Sequence, residues 1–107
     1  MHFRTTELFD KQIKKLRKKN KNIKHDLDKF LSNFETLHTQ STTIKKNLFK
    51  VRIANSSKNK GKSAGYCVYY YVLVETTTYL LTIYDKSETA MIDEELLVDL
   101  IESIDVP

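Results

Sequence analysis

The sequence predicts an α+β fold: a strand at residues 2–5 and a helical hairpin packed on a mainly antiparallel sheet of about four strands, with a short C-terminal helix. Three observations support this class. Apolar residues recur at helical spacing in residues 6–37, at a spacing of two from residue 48, and again at helical spacing in residues 93–104. The chain of 107 residues is long enough for one core, so we expect a single domain over residues 1–107.

The two predicted helices each carry one apolar face. In the first, Phe9, Ile13 and Leu16 form a single stripe. The second begins after Asn22, because asparagine is favoured at a helix N-cap. Since the connection between the helices is short, we expect an antiparallel hairpin, followed by a polar loop at residues 38–43. The apolar face of the second helix consists of Ile23, Leu27, Phe30, Leu31, Phe34 and Leu37.

Two alternating sets of side chains mark the next strand. The apolar set is expected to face the helices, and the other set, which includes Lys50 and Arg52, to face outward on a side of the sheet that no helix covers. Residues 65–75 and 77–86 are rich in β-branched and aromatic residues and predict a hairpin. The two sets are Phe49, Val51 and Ile53, and Leu48, Lys50 and Arg52.

The tyrosines of the first hairpin strand divide between the two faces of the sheet. Tyr66 and Tyr70 share one face, and Tyr69 and Tyr71 share the other. We expect one pair to lie in the core and the outward pair to be free to stack on nucleic-acid bases.

Charge is distributed unevenly along the chain. Residues 1–62 contain 17 of the 18 lysines and arginines but 5 of the 14 acids, whereas residues 63–107 contain Lys86 and 9 acids. A basic half of this kind attracts polyanions such as nucleic acid. For any single lysine, the alternative is that it only keeps the helices soluble.

The sequence indicates a cytoplasmic protein. Cys67 is the only cysteine, so an internal disulfide cannot form, as is usual in a reducing compartment. The N-terminal segment has no apolar run before its charges, so we expect no signal peptide. No segment has the roughly 20 apolar residues that a membrane helix needs.

Residues 61–63 read Gly-Lys-Ser, the end of a phosphate-binding P-loop, but the rest of that motif is missing. A P-loop has glycine at the position of Ser56 and a helix after its serine, whereas a strand is predicted here. Cys67 is in mid-strand with no histidine near it in sequence, so we expect a packed thiol rather than a nucleophile. One cysteine and three scattered histidines lack metal-ligand spacing, so we expect no metal and no cofactor. The histidines, expected to be surface or packing residues, are His2, His25 and His38.

Two stretches of the chain resemble a known family. "LFKVRIANSSKNKGKSAGYCVYYYV" at residues 48–72 and "YLLTIYDKSE" at residues 79–88 resemble the RelE/ParE superfamily of bacterial toxins from type II toxin–antitoxin modules, and in particular its RelE/HigB-like branch. The strand–helix–helix start of the chain is similar as well. This resemblance implies a toxin that cuts messenger RNA in the ribosomal A site without metal, and a partner antitoxin that is often of the helix-turn-helix type.

The resemblance also implies roles for individual residues. Lys50 and Arg52 would contact the RNA backbone, Lys86 would support cleavage, and Tyr84, from the branch's own motif, would join the catalytic set. Cys67 stands where the family has an arginine that contacts phosphate, which implies weakened catalysis. The further RNA-binding candidates are lysines, with simple solvation as the alternative for those in the loop: Lys45, Lys46, Lys58, Lys60 and Lys62.

Three functions are compatible with these expectations. The first is a metal-independent, ribosome-dependent mRNA endonuclease that inhibits translation. The second is a non-catalytic inhibitor of DNA gyrase, similar to the ParE branch. The third is an attenuated toxin that acts mainly by binding its antitoxin, in which restoring arginine at Cys67 would raise toxicity.

Overall fold

Five strands form one mixed sheet, and helices pack on both of its faces. The computed structural model describes residues 2–57, 65–73, 76–88 and 92–104, and no helix in these ranges is long and apolar enough to cross a membrane. The strand order is β1-β5-β4-β3-β2, in which β1 is parallel to β5 and all other neighbours are antiparallel. The α+β class is therefore confirmed, with five strands rather than about four. The elements are β1 (His2–Thr5), α1 (Glu7–Arg17), α2 (Ile23–Ser32), α3 (Phe34–His38), β2 (Thr42–Lys45), β3 (Leu48–Ile53), β4 (Tyr66–Leu73), β5 (Thr77–Asp85) and α4 (Glu94–Ser103).

The first helix forms where its apolar stripe predicts it. Thr6 is its N-cap: the side-chain oxygen accepts a hydrogen bond from the Phe9 N–H at 3.0 Å. The same hydroxyl donates to the carbonyl oxygen of Leu81 at 2.7 Å, which joins the start of α1 to β5. Phe9 and Leu16 are buried, so the stripe faces the sheet as expected.

The predicted second helix is interrupted at Asn33. The side-chain amide of Asn33 donates to the carbonyl oxygen of Lys29 at 2.9 Å, and its backbone has φ −113° and ψ 24°, outside the helical range. Side-chain bonds of this kind compete with the helical ladder. The expected single helix is therefore two, α2 and α3, although Phe30 and Phe34 from both are buried on the same side.

A short strand begins where a loop is predicted. β2 pairs antiparallel with β3, and Thr42 lies opposite Lys50. Asn47, in the turn between the two strands, has a positive φ of 66°, a conformation that asparagine tolerates. The prediction of a loop over residues 38–43 is therefore wrong at its end. Thr42 and Thr43 are polar and exposed, so β2 lacks the apolar alternation that would reveal it in the sequence.

The core between the sheet and helices α1 to α3 contains the apolar set predicted for β3. Val51 and Ile53 are buried, and Phe49 packs against the same cluster. His38 lies in this layer too, with its Nδ1 2.6 Å from the hydroxyl oxygen of Tyr70, so it is a packing residue, as predicted. The buried members of this helix-side core are Phe9, Leu16, Ile23, Phe30, Phe34, Val51, Ile53, Tyr66, Val68, Tyr70, Leu80 and Ile83.

The opposite face of the sheet is covered by α4, so the prediction that no helix covers it is wrong. An amphipathic helix has to bury its apolar stripe, and Leu97 and Ile104 are 1% and 8% exposed in this layer. Lys45 Nζ also forms an ion pair of 2.7 Å with Glu94 Oε1 at the start of α4. Because both side chains are about half exposed, that pair adds little stability. The buried members of this α4-side core are Leu48, Cys67, Tyr69, Leu81, Tyr84, Leu97 and Ile104.

The tyrosines of β4 follow the predicted alternation but do not leave a free pair for stacking. Tyr66 and Tyr70 are fully buried in the helix-side core. Tyr69 is 3% exposed in the α4-side core, and Tyr71 is half-buried against it. The expectation of an outward pair available to bases is therefore wrong for Tyr69, because α4 occupies that face of the sheet.

Candidate nucleic-acid interface

Cross-strand register places Arg52 of β3, Cys67 of β4 and Tyr84 of β5 in one row across the sheet. Arg52 pairs with Cys67 on β4, and Cys67 pairs with Tyr84 on β5. Lys50 precedes Arg52 by two residues, opposite Tyr69, and therefore lies on the same face. Neighbouring strands are about 4.8 Å apart, so the row from Arg52 to Tyr84 spans roughly 10 Å. Arg52 is exposed and Lys50 is half-buried, so solvent reaches both.

Lys86 lies at the same end of the sheet as Arg52. It follows β5 directly, and its backbone N–H donates to the carbonyl oxygen of Gly65 at 3.1 Å. Gly65 immediately precedes β4, whose first residue pairs with the last residue of β3. Three of the candidate catalytic residues, Arg52, Tyr84 and Lys86, are thus at the same end of the sheet, on or just after strands β3 and β5, which β4 separates. Lys50 lies two residues before Arg52 on β3.

Asp85 stabilises the turn that contains Lys86. It is 4% exposed, and its Oδ1 accepts hydrogen bonds from the Ser87 N–H at 2.9 Å and from the Ser87 hydroxyl at 2.7 Å. The Glu88 N–H donates to the Asp85 carbonyl oxygen at 3.0 Å. Aspartate commonly closes turns in this way, so the direction of the chain after β5 is fixed by local bonds.

Tyr84 is on the buried side of this group of residues. It is 6% exposed, and its ring stacks on that of Tyr69 with centroids 6.0 Å apart. Burial, followed by hydrogen bonding with Tyr69 and Cys67, raises the pKa of its phenol. Tyr84 is therefore neutral at physiological pH and can donate a hydrogen bond or a proton, but it cannot serve as a base.

Cys67 is a packed thiol, as the sequence predicts. It is 2% exposed in the α4-side core, between Arg52 and Tyr84 in the strand register. An arginine at this position would have to bury its charge or displace α4. Restoring the arginine that the family resemblance implies would therefore disturb the core of this chain as well as add a cation.

The other lysine candidates are not part of this group in the described structure. Lys45 pairs with Leu48, at the opposite end of β3, and forms its ion pair with Glu94. Leu48 and Arg52 are separated by roughly 13 Å along the strand. Lys46 follows Lys45 in the turn and is exposed. The remaining candidates lie outside the described residues: Lys58, Lys60 and Lys62.

A buried polar network, which the sequence analysis does not anticipate, holds the segment after β3. Asn55 is 1% exposed, and its amide donates to Asn20 Oδ1 at 2.8 Å. Asn20 in turn donates to the Leu16 carbonyl oxygen at 3.2 Å, and Asn55 Oδ1 accepts from the Ser57 N–H at 2.9 Å. These bonds tie the chain beyond β3 to the end of α1.

Asp26 links the same segment to α2. It is 7% exposed, and its Oδ2 accepts a hydrogen bond from the Ser56 N–H at 3.0 Å. One signal for it exists in the sequence: Asp26 falls on the same helical stripe as Ile23 and Phe30, so a carboxylate occurs where an apolar residue is expected. Its buried position requires a hydrogen-bond donor, and the backbone after β3 supplies one.

The hydroxyl of Tyr66 is buried without a hydrogen-bond partner among the described residues. Burial, with smaller effects from the carboxylates of Asp26 and Asp85, raises the pKa of this phenol, so it stays neutral. A buried hydroxyl without a partner destabilises a protein by about 1–3 kcal/mol. By contrast, the equally buried hydroxyl of Tyr70 has Nδ1 of His38 as its partner.

Replacing these two tyrosines with phenylalanine is expected to have opposite effects. Tyr66→Phe removes an unpaired buried hydroxyl and should raise the free energy of unfolding by about 1 kcal/mol. Tyr70→Phe removes a partner of His38 and should lower it by about 1 kcal/mol. Urea unfolding followed by circular dichroism measures both changes. A loss of stability in Tyr66→Phe would show that its hydroxyl has a partner after all.

Across residues 2–57, 65–73, 76–88 and 92–104, no group of three or more His, Cys, Asp or Glu side chains is arranged to hold a metal ion. The groups at the candidate interface are cations and a neutral phenol, which suit an anionic ligand.

Comparison with known proteins does not assign this chain to a family. No family model matches the sequence, and a search of the curated proteins returns no match.

Proposed function

We propose that this protein is a RelE/ParE-like toxin that acts as a metal-independent, ribosome-dependent mRNA endonuclease and so inhibits translation. The observation that carries the proposal is that Lys50 and Arg52 on β3, Tyr84 on β5 and Lys86 in the turn after β5 lie toward the same end of the sheet, with β4 between the two strands. These are the residues for which the family resemblance implies a role in RNA binding or cleavage. The basic excess of residues 1–62 adds a field that attracts RNA.

The proposed chemistry needs charge stabilisation more than it needs a strong base. The 2′-hydroxyl gives up its proton, its oxygen bonds to phosphorus, and the bond to the 5′-oxygen breaks as that oxygen takes up a proton. The extra negative charge on the phosphorus centre is what Lys50, Arg52 and Lys86 would stabilise, and Tyr84 can only act as a donor. His38 packs on the other face of the sheet. We infer that the ribosome supplies much of the remaining rate by positioning the RNA.

Neutralising two of the cations is expected to abolish cleavage. Lys50→Ala combined with Lys86→Ala should reduce mRNA cleavage on translating ribosomes by about 100-fold or more, because both charges act on the transition state. Purified ribosomes, a defined mRNA and mapping of the cut sites by primer extension provide the measurement.

A matched control separates this effect from a general loss of charge. Lys14→Ala combined with Lys15→Ala removes the same charge from exposed positions on α1 and should change cleavage by less than about threefold. If both double variants lost the same amount of cleavage activity, Lys50 and Lys86 would contribute only to the electrostatic attraction of RNA and not to the cleavage step. Intact transcripts with the unmodified protein, together with inhibition of gyrase supercoiling, would favour the ParE-like alternative.

The proposal includes a partner antitoxin, of a helix-turn-helix type if the resemblance extends that far. An acidic segment of such a partner would complement Lys50 and Arg52 and block RNA by covering them. A partner can reach both side chains, since Arg52 is exposed and Lys50 is half-buried. Copurification with the product of a neighbouring reading frame tests this part directly.

A further inference from the structure

A cavity of about 410 Å³ lies beside the end of β3, between that strand and helices α2 and α3. We call it the α2 pocket. Its floor is apolar: Phe30 and Ile53 are buried, and Leu37 is half-buried. The volume is within the roughly 300–1,000 Å³ that is usual for small-molecule sites. The pocket is therefore large enough for a planar ring system with its attached groups.

The α2 pocket contains a buried carboxylate that is only partly satisfied. Asp26 is 7% exposed and lines the pocket. Its Oδ2 accepts a hydrogen bond from the Ser56 N–H at 3.0 Å, whereas its Oδ1 has no hydrogen-bond partner, and its side chain no ion pair, in the described part of the chain. A carboxylate can accept about four hydrogen bonds, and a buried one is costly without donors. A ligand that brings N–H groups to Asp26 therefore gains most from this pocket.

The other polar groups of the α2 pocket are an amide oxygen and two cations. Asn33 lines the pocket and uses its side-chain N–H to bond the Lys29 carbonyl oxygen at 2.9 Å, which leaves its own carbonyl oxygen as an acceptor. Lys29 and Arg52 also line the pocket, and both are exposed. A ligand that fits has N–H donors on one edge and has acceptors or negative charge on another.

Guanine is the nucleobase that matches this arrangement. Its Watson–Crick edge presents the adjacent donors N1–H and N2–H₂, which a carboxylate can accept together. Its O6 and N7 atoms are acceptors that arginine and lysine bond. Adenine and cytosine each place a ring-nitrogen acceptor beside their amino group, and uracil places carbonyl oxygens on both sides of its N–H. These acceptors would face the carboxylate of Asp26 unfavourably, so guanine is the better fit.

We propose that the α2 pocket binds a guanine nucleotide. The base enters between α2 and the end of β3 and donates from N1–H and N2–H₂ to Asp26, while Lys29 and Arg52 hold O6, N7 and the phosphate. Arg52 also lines a second cavity together with Lys50, so a bound guanosine would lie next to the candidate interface.

A role of the pocket in selecting RNA sequence rests on the proposed function, because a guanosine of the message would be read there while the strand is held for cleavage. Binding of the base itself requires only the pocket. The two proposals can therefore fail separately.

The test is a titration of GMP, AMP, CMP and UMP into the full chain, followed by amide chemical shifts. We expect GMP to bind at least about tenfold more tightly than the other three, because a bidentate base contact discriminates by about this factor. The largest shifts should occur at Lys29, Asn33, Arg52 and Ser56. GMP shifts confined to α1 or β1 would contradict the proposal.

Two matched variants test the carboxylate. Asp26→Asn keeps the shape of the side chain but places an N–H₂ group where the base brings donors, and should weaken GMP binding at least about tenfold. Asp28→Asn removes the same charge from an exposed position on the same helix and should change affinity by less than about twofold. Melting curves followed by circular dichroism establish that both variants are folded.

A third variant does not depend on the buried carboxylate. Ala54 is exposed and lines the α2 pocket, so Ala54→Phe would place a ring in the space that the base needs. This variant should lose GMP binding even if Asp26→Asn fails to fold.

The proposal is overturned if GMP does not bind, if AMP binds as tightly, or if the two Asp→Asn variants weaken GMP binding equally. The trinucleotide UGU distinguishes the sources of the base. If it produces the same shifts as GMP, the site accepts guanosine within RNA, whereas binding of GMP alone assigns the site to free guanine nucleotides. A chain that binds GMP but cleaves no mRNA would refute only the proposed function, and cleavage without GMP binding would refute only the α2 pocket.

Discussion

Replacing Gly65 with alanine is expected to lower the free energy of unfolding by about 4 kcal/mol. A Cβ at this position would overlap the carbonyl oxygen of Ile53 and would lie 2.9 Å from its carbonyl carbon. Both atoms belong to the backbone of the neighbouring strand, so no side-chain rotation relieves the overlap. The start of β4 would have to move away from the end of β3. Urea unfolding of the variant and of the unmodified chain measures the loss.

The same change should also disturb the candidate interface, because Gly65 accepts the backbone hydrogen bond of Lys86. Ser56→Ala is the control, since Ser56 is an exposed small residue just beyond the end of β3 and should change stability by less than about 0.5 kcal/mol. If Gly65→Ala were as stable as the control, the close approach of the two backbones would be refuted.

Truncating the chain after Ser87 is expected to abolish cooperative unfolding. The truncation removes α4 and exposes the side of the sheet that contains Leu48, Leu81 and Tyr84, all of them now buried. Each large apolar side chain contributes about 1.5–3 kcal/mol when it is buried. For these three residues together the loss is roughly 4.5–9 kcal/mol, which is comparable with the 5–15 kcal/mol by which a domain is usually stable. A melting curve followed by circular dichroism shows whether a transition remains.

A point substitution provides a graded version of this test. Leu97 is 1% exposed, and Leu97→Ala should cost about 3 kcal/mol. Leu96 precedes it in the same helix but is 39% exposed, so Leu96→Ala should cost less than about 0.5 kcal/mol. A truncated chain that keeps its melting temperature and becomes more toxic would instead make α4 a removable cover over the candidate interface.

Periodicity in the sequence was sufficient to predict the main elements. The stripe of Phe9 and Leu16 predicts α1, and the alternation of Val51 and Ile53 with Lys50 predicts which face of β3 is apolar. Each pattern depends on residues a few positions apart, which share one face of an element whatever the rest of the chain does. The short strand β1 was also predicted over residues 2–5, and the structure has it there.

Periodicity was not sufficient to predict where the second helix is interrupted or that β2 is a strand. Asn33 lies within an apolar stripe that continues to Leu37, yet its side chain bonds Lys29 and ends α2. Likewise, Thr42 and Thr43 do not belong to an alternating apolar pattern. This segment is a strand because its backbone hydrogen-bonds to β3. Propensity and period could therefore identify the helical segment but not its interruption at Asn33, and they did not identify β2.

For the candidate interface, the sequence by itself determined which residues have the right chemistry: the basic pair Lys50 and Arg52, Lys86 and Tyr84. Only the tertiary structure decided that Arg52, Tyr84 and Lys86 are at the same end of the sheet and that α4 buries Tyr84 and Cys67. The reason is physical. The period of an element is set by neighbours in the chain, whereas strand register and helix coverage depend on contacts between residues far apart in sequence, which no local pattern encodes.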